Sequence, residues 1–271
     1  MTLSADRYAE LDAFLLELNR ASAAAILPLF RSDHGLENKL EGAGFDPVTE
    51  ADKGAERAIR KLITERYPDH GVIGEEYGED RPDAEFVWVL DPVDGTRQFV
   101  AGLPLWTTLI GLLHNGVPVL GSIGQPYLDE IYIGGKATGS RLVSRGNETP
   151  LNVRPCPKLT DAIICTTDPD ILTGPELGSW TQVRATARLA RLGLDAYGYA
   201  MVAMGKLDLA LDTGLKRWDV GGVIPVVEGA GGLVTDWYGR PARIDSGKFA
   251  FAGDAACLEA ALVTLKRSAA H

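Results

Sequence analysis

Where the run Trp88-Val-Leu-Asp91-Pro-Val-Asp94-Gly-Thr96 stops being apolar, two carboxylates stand three residues apart, with a proline between them and a glycine behind. Pro92 restricts φ and Gly95 permits a tight approach, so Asp91, Asp94 and the Val93 carbonyl can converge on one point rather than spread into solvent. Two further acids occupy comparable places: Glu75 in Gly74-Glu75-Glu76, at the end of a β-type run, and Asp219 in Trp218-Asp219, at a helix start. His and Cys are absent from all three places. An all-oxygen donor set suits hard Mg2+ or Mn2+ and argues against zinc. Each piece also has an ordinary reading. Asp-Pro-x-Asp-Gly occurs as a plain turn, Asp52 three residues after Thr49 completes a capping pattern, Asp219 complements a helix dipole, and Lys39 is a solvated loop lysine.

The elements that must position these groups follow from periodicity. Leu11, Leu15, Leu18, Ile26 and Leu29 recur at helical spacing over residues 5–31, with Ser4 as N-cap. Residues 32–45, polar and glycine-rich around Lys39, read as a mobile loop, and a second helix runs from Thr49 to about Tyr67, before Pro68. Short β-type runs at 71–74, 86–90, 105–113, 117–123 and 130–133, with a His114-Asn115-Gly116 hairpin, predict two helices over an antiparallel sheet in residues 1–150. Residues 151–271 alternate strand and helix, including a helix over 218–229, and predict a layered α/β lobe. The Gly-, Pro- and Ser-rich segment 134–160 is the expected lobe boundary.

Composition narrows the partners. Lys and Arg total 27 against 37 Asp and Glu, a formal charge of −10, which gives no electrostatic reason to hold nucleic acid or an anionic membrane. Cys156, Cys165 and Cys257 are too few and scattered for a disulfide framework, which points to a reducing compartment. No basic leader precedes an apolar stretch and no apolar run approaches the ~18 residues of a membrane span, so a cytoplasmic location is expected.

In their order and spacing, Asp46-Pro-Val-Thr-Glu-Ala-Asp52, Gly74-Glu75-Glu76, Asp91-Pro-Val-Asp94-Gly-Thr96 and Trp218-Asp219-Val-Gly-Gly closely resemble the inositol monophosphatase superfamily of Mg2+-dependent, lithium-sensitive phosphatases. The resemblance implies an α/β/α/β/α five-layer sandwich, usually a homodimer, with two or three Mg2+ per site and a small phosphate monoester as substrate. Carried over residue by residue, Glu75, Asp91 and the Val93 carbonyl would hold the first metal, and Asp91, Asp94 and Asp219 the second, with Glu75 contributing to a third. Thr96 and Asp52 would orient and deprotonate the attacking water. The N–H groups of Gly95 and Thr96 would bind phosphate oxygens, and Lys39 would approach them as its loop closes.

The second half bears on the alcohol. Arg191-Leu-Gly193-Leu-Asp195-Ala-Tyr-Gly-Tyr199, Asp208, Asp212-Thr-Gly-Leu-Lys216-Arg-Trp-Asp219 and Gly-Gln125-Pro126 resemble the histidinol-phosphate phosphatase branch, which implies a role in histidine biosynthesis. Asp195 and Asp212 fall where the superfamily touches the alcohol, and two carboxylates there suit an amine and an imidazolium better than a neutral polyol. Their ordinary readings are a cap for a helix starting at Ala196 and a strand-end acid. This sequence departs from the branch at Gly124, where Asp is common, in the Thr166-Thr-Asp-Pro-Asp-Ile-Leu segment, and at Gly221-Gly222. An inositol or sugar phosphate is the alternative substrate, and a non-catalytic binding protein on the same fold is the alternative of another class.

Overall fold

The computed structural model describes residues 3–32, 37–38, 47–48 and 50–269. The elements in chain order are α1 (Ala5–Ile26), β1 (Glu37–Asn38), β2 (Pro47–Val48), α2 (Glu50–Arg66), β3 (Gly71–Gly74), β4 (Gly78–Asp80), β5 (Phe86–Asp94), α3 (Thr96–Val100), β6 (Thr107–His114), β7 (Val117–Gln125), β8 (Glu130–Gly135), β9 (Gly139–Ser144) and β10 (Asn147–Pro150). They continue with β11 (Ile163–Thr166), α4 (Pro175–Thr186), β12 (Leu189–Leu192), α5 (Asp195–Ala203), β13 (Leu209–Thr213), α6 (Arg217–Gly221), α7 (Val223–Gly229), β14 (Leu233–Thr235), β15 (Lys248–Ala252) and α8 (Ala255–Ala269).

An eight-stranded sheet in the order β10-β9-β8-β7-β6-β5-β3-β4 and a five-stranded sheet in the order β12-β11-β13-β15-β14 make up two of five layers. The larger sheet is antiparallel except for the β3–β5 pair. In the smaller sheet β12, β11 and β13 run parallel, and β15 pairs antiparallel with both β13 and β14. Helices α1 and α2 cover the outer face of the larger sheet, where Leu11, Phe14, Leu15, Leu18, Ile59 and Ile63 bury against Trp88, Ile110 and Leu120. Helices α5 to α7 lie between the sheets, and α4 and α8 cover the far face of the smaller one through Trp180, Val183, Leu258, Ala261 and Leu265. The α/β/α/β/α sandwich is thus each sheet's solution to burying two apolar faces.

Several elements differ from their sequence expectation. Helix α1 stops at Ile26, two residues before Pro28, because proline lacks the N–H that would continue it. The segment read as a lobe boundary instead contains β9 and β10, a hairpin turned at Arg145 and Gly146, both with positive φ, that extends the large sheet to Pro150. The crossover proper is tied down by Arg154, which donates to both oxygens of Asp208 at 2.8 and 2.6 Å. The single helix expected over 218–229 is two, broken at Gly222, since Pro225 cannot donate to the Gly221 carbonyl. Their placement is dictated by close backbone contact: a Cβ on Gly121 would lie 2.0 Å from the Gly222 carbonyl oxygen, and one on Gly111 2.3 Å from the Gly221 carbonyl carbon. These glycines let α6 and α7 lie directly on β6 and β7. Val220, Val223 and Val226 then share one core with Leu109, Ile123 and Tyr132.

Candidate active site

Strand β5 pairs with β6 as Asp91↔Leu109 and then Asp94↔Thr107, so three steps on β5 match two on β6. In a regular strand residues 91 and 94 would face opposite sides. The extra residue at Pro92-Val93, where a proline cannot serve the ladder, turns both acids to the same side. The strand therefore does not end at residue 90, as its apolar run implied, but carries both carboxylates on a bulge. Thr108 Oγ1 donates to the Pro92 carbonyl at 2.8 Å and Thr96 Oγ1 to the Val93 carbonyl at 3.0 Å, which hold the bulge from both ends. Gly95, at φ 79°, then swings the chain into α3.

The other acids arrive from three elements. Glu75 follows β3, whose parallel register sets Gly74 beside Leu90, and its N–H donates to the Leu90 carbonyl at 3.2 Å, next to Asp91. Asp219 is on α6, where its Oδ2 accepts the Lys216 N–H at 2.7 Å. Asp195 opens α5 at φ 47°, and Asp94 Oδ2 accepts the Ala196 N–H at 2.8 Å, so Asp94 rather than Asp195 holds the start of that helix. Glu75, Asp91, Val93, Asp94, Gly95, Thr96, Asp195 and Asp219 line one cavity of about 180 Å³ together with Tyr199. Asp52, 2% exposed on the buried stripe of α2, lies behind this lining and near enough for its charge to act on Asp91. Lys39 lies outside the described residues.

Burial first, and then the charges of Glu75, Asp94, Asp219 and Asp52, push the Asp91 carboxyl well above the usual carboxylate range. Burial and Asp195 do the same to Asp94. Asp219 is pushed up to about 7 by burial, against the opposing Lys216 N–H and reinforced by Glu75. Asp91 Oδ1 is buried without a hydrogen-bond partner. Among the described residues no three His, Cys, Asp or Glu side chains draw together tightly enough to hold an ion as they stand. Like charges repel at this spacing, and a bound cation would draw the cluster in. The orphaned Asp91 oxygen, the oxygen-only donors and the mutual repulsion fit a hard divalent cation.

Asp212 is not brought to the cavity. It is 1% exposed at the end of β13, where Oδ1 accepts the Thr166 hydroxyl at 2.9 Å and the Thr167 N–H at 2.8 Å, and Oδ2 accepts the Tyr199 hydroxyl at 2.8 Å. It shapes the wall from behind, and burial pushes its carboxyl up to about 6. The groups that do face the adjoining cavity of about 490 Å³ include Arg97, Gln98, Asp168, Ile171, Leu192 and Asp195. Sequence reasoning gave no site role to Arg97, Asp168, Ile171 and Leu192: Asp168 and Ile171 share one segment of the second half, and Arg97 and Leu192 reach the same cavity from distant positions.

Sequence reasoning also missed Glu56. Fully buried on α2, one turn beyond Asp52, it accepts the Glu76 N–H at 2.8 Å, the Tyr77 N–H at 3.2 Å and Arg60 Nε at 2.7 Å. It clamps the turn that carries Glu75. The signal was present in sequence, since Asp52 and Glu56 occupy the stripe continued by Ile59 and Ile63.

The model of the inositol monophosphatase family matches residues 7–268. The chain belongs to that family. A chloroplastic bifunctional phosphatase IMPL2 of Arabidopsis thaliana is 38% identical over 87% of this chain, which spans 66% of the plant protein's length. A histidinol-phosphatase of Chlorobaculum parvum is 37% identical over 73% of this chain and 76% of its own. The inositol-1-monophosphatase ImpA of Mycolicibacterium smegmatis is 35% identical over 88% of each. The solved structure of an inositol monophosphatase from Zymomonas mobilis superposes with a TM-score of 0.84 at 34% identity, covering 97% of this chain and 100% of that one. At Gly124, a Cβ would lie 2.5 Å from Asn19 Oδ1, so a larger residue there would have to displace that side chain. Among the described residues no helix is long and apolar enough to cross a membrane.

Proposed function

We propose that this family member is a Mg2+-dependent phosphomonoesterase that hydrolyses L-histidinol phosphate to L-histidinol and phosphate, a step of histidine biosynthesis. The lining of the 490 Å³ cavity carries the substrate assignment: Asp168 and Asp195 supply negative charge, while Pro169, Ile171 and Leu192 supply an apolar wall. A flat imidazole bearing an ammonium group uses both, whereas a polyol ring has no use for the apolar wall. The 37% identity to a histidinol-phosphatase supports the same substrate.

In this reading Glu75, Asp91, the Val93 carbonyl, Asp94 and Asp219 hold the metal, and the N–H groups of Gly95 and Thr96, with Lys39, hold the phosphate. Bound there, Mg2+ supplies charge neutralisation and a water of lowered pKa. The Thr96 hydroxyl, committed as donor to the Val93 carbonyl, accepts from the attacking water and so orients it. Asp52, close enough for its charge to act on Asp91, would take the water's proton as the new P–O bond forms, and the ester P–O bond would break to an alkoxide that Asp195 faces and solvent protonates. The reading includes a homodimer in the cytoplasm, checked by light scattering and fractionation, and inhibition by lithium.

The 35% identity to ImpA favours inositol 1-phosphate as the second reading. Phosphate release from both esters, with and without Mg2+, decides between them. Histidinol phosphate is expected to give the higher kcat/KM, and a higher value for inositol 1-phosphate overturns the substrate assignment. No release from either ester with Mg2+ overturns the enzyme reading in favour of a binding protein.

A further inference from the structure

Seven residues of α1 are buried, and two of them are polar: Asn19 and Ser22, 3% and 0% exposed. A buried polar group costs stability unless it is hydrogen-bonded, so each needs a partner. Asn19 spends both amide protons, one on the Leu15 carbonyl at 2.8 Å and one on Ser122 Oγ of β7 at 2.7 Å, which ties α1 to that strand. Ser22 Oγ stands 3.2 Å from Oγ1 of Thr108 on β6, which is buried as well. A hydroxyl has one proton, and Thr108 gives its own to the Pro92 carbonyl at 2.8 Å. Ser22 is therefore the donor to Thr108. Pro92 has no paired residue on β6, because the register shifts between Asp91 and Asp94. Adjacent residues of a strand point to opposite faces, and from the other face Thr107 donates to Asp94 Oδ2 at 3.3 Å. The bulge is thus held from both faces of the sheet, and on the α1 face the outermost link is Ser22.

We propose that Ser22 is a positioning residue for the carboxylates of the bulge: by donating to Thr108 it holds the hydroxyl that anchors the Pro92 carbonyl, so that α1 sets the spacing of Asp91 and Asp94. This rests on the reading that those two acids hold the metal. A threonine hydroxyl has three staggered positions about its Cα–Cβ bond, and a donor on α1 favours the one that reaches Pro92. Without Ser22 the Thr108 oxygen loses its donor at a buried position, other rotamers compete, and the Pro92–Val93 segment gains freedom. Since residues 92 and 93 have no paired residues on β6, that freedom passes to the acids on either side.

The test uses Ser22→Ala, Thr108→Val and the double variant. Leu18→Ala, buried on α1 but outside this relay, is the control for a loosened helix. Two quantities are read: hydrogen exchange over residues 91–96 relative to β7 in metal-free protein, and the Mg2+ Kd by calorimetry. Ser22→Ala is expected to speed the exchange and to raise Kd roughly three- to tenfold, below the usual loss for a partner bonded directly to a metal ligand. Thr108→Val is expected to do at least as much, and the double variant no more than Thr108→Val, because both substitutions break one relay. Leu18→Ala is expected to lower the melting temperature further than Ser22→Ala while leaving the relative exchange and Kd as in the wild type. Unchanged exchange and Kd in Ser22→Ala, additive effects in the double variant, or equal effects from Leu18→Ala each overturn this role. If the wild type binds no Mg2+, the metal reading fails, and the exchange measurement still decides whether Ser22 holds the bulge.

Discussion

Asp94 accepts the Ala196 N–H and the Thr107 hydroxyl through the same oxygen, Oδ2, which leaves Oδ1 for the cavity. In Asp94→Asn the amide oxygen must stay toward these donors, so the NH2 group turns toward the cavity and repels a cation. Turnover is expected to fall by at least roughly a hundredfold. Because one like charge leaves a self-repelling cluster, melting temperature without metal should hold or rise; a fall in step with activity would make Asp94 structural. Asp212 belongs to the opposite type. Its bonds hold Thr166 and two wall residues of the cavity, Thr167 and Tyr199, and none reaches into the cavity, so Asp212→Asn is expected to cost about 1–2 kcal/mol in urea denaturation and to slow histidinol phosphate and inositol 1-phosphate alike. Selective loss on the cationic ester would return Asp212 to a substrate contact.

At the scale of elements, α2 and the β3–β4 turn act as one unit. A Cβ on Gly74 would stand 2.0 Å from Glu56 Oε1, so Gly74→Ala must push that carboxylate off the Glu76 and Tyr77 N–H groups. The expected cost is about 1–3 kcal/mol with a weakened Mg2+ response, read by denaturation and by metal titration. Immediately before β3 stands His70, whose Nδ1 accepts the Trp88 indole N–H at 3.1 Å between the stacked rings of Tyr67 and Phe86. Burial and the Arg7 charge, opposed by Asp69, Glu85 and Glu10, lower its pKa to about 4. The unfolded chain then binds the proton more readily between about pH 6.5 and 4. The His70 contribution is therefore complete above the unfolded pKa and is lost as pH falls through that window. Melting temperature should drop more between pH 6.5 and 4.5 in the wild type than in His70→Gln, and equal slopes would remove His70 as the cause.

For the whole molecule, the carboxylate cluster joins the two sheets: Asp91 and Asp94 belong to the larger sheet, while Asp219 and Asp195 come from helices between the layers. A cation bound only by the folded state draws these layers together. Mg2+ at about a hundred times its Kd should add about 2.7 kcal/mol, seen as a higher melting temperature that EDTA reverses. No shift at saturating Mg2+ would show that the cluster does not bind the ion.

Asp91, Asp94, Glu75 and Asp219 were legible in sequence because local chemistry placed each of them: a proline and glycine beside a strand, an acid after a β run, an acid at a helix start. The helices and most strands were legible for a similar reason, since periodicity reports which face is buried. Other features depended on contacts distant in sequence. The bulge that turns Asp91 and Asp94 to one side needs β6 opposite β5, and the break at Gly222 serves a backbone contact with β6 and β7. Asp212 reads as a strand-end acid whichever way it points, and only the neighbouring Tyr199 and Thr167 decide that it is buried. Arg97 and Asp168 lie 71 positions apart with no pattern between them. The sequence by itself determined the family and the oxygen-rich chemistry, which reside in short-range spacing; the tertiary structure alone decided which acids line the cavities and which are buried behind them, because that depends on how two sheets close over one site.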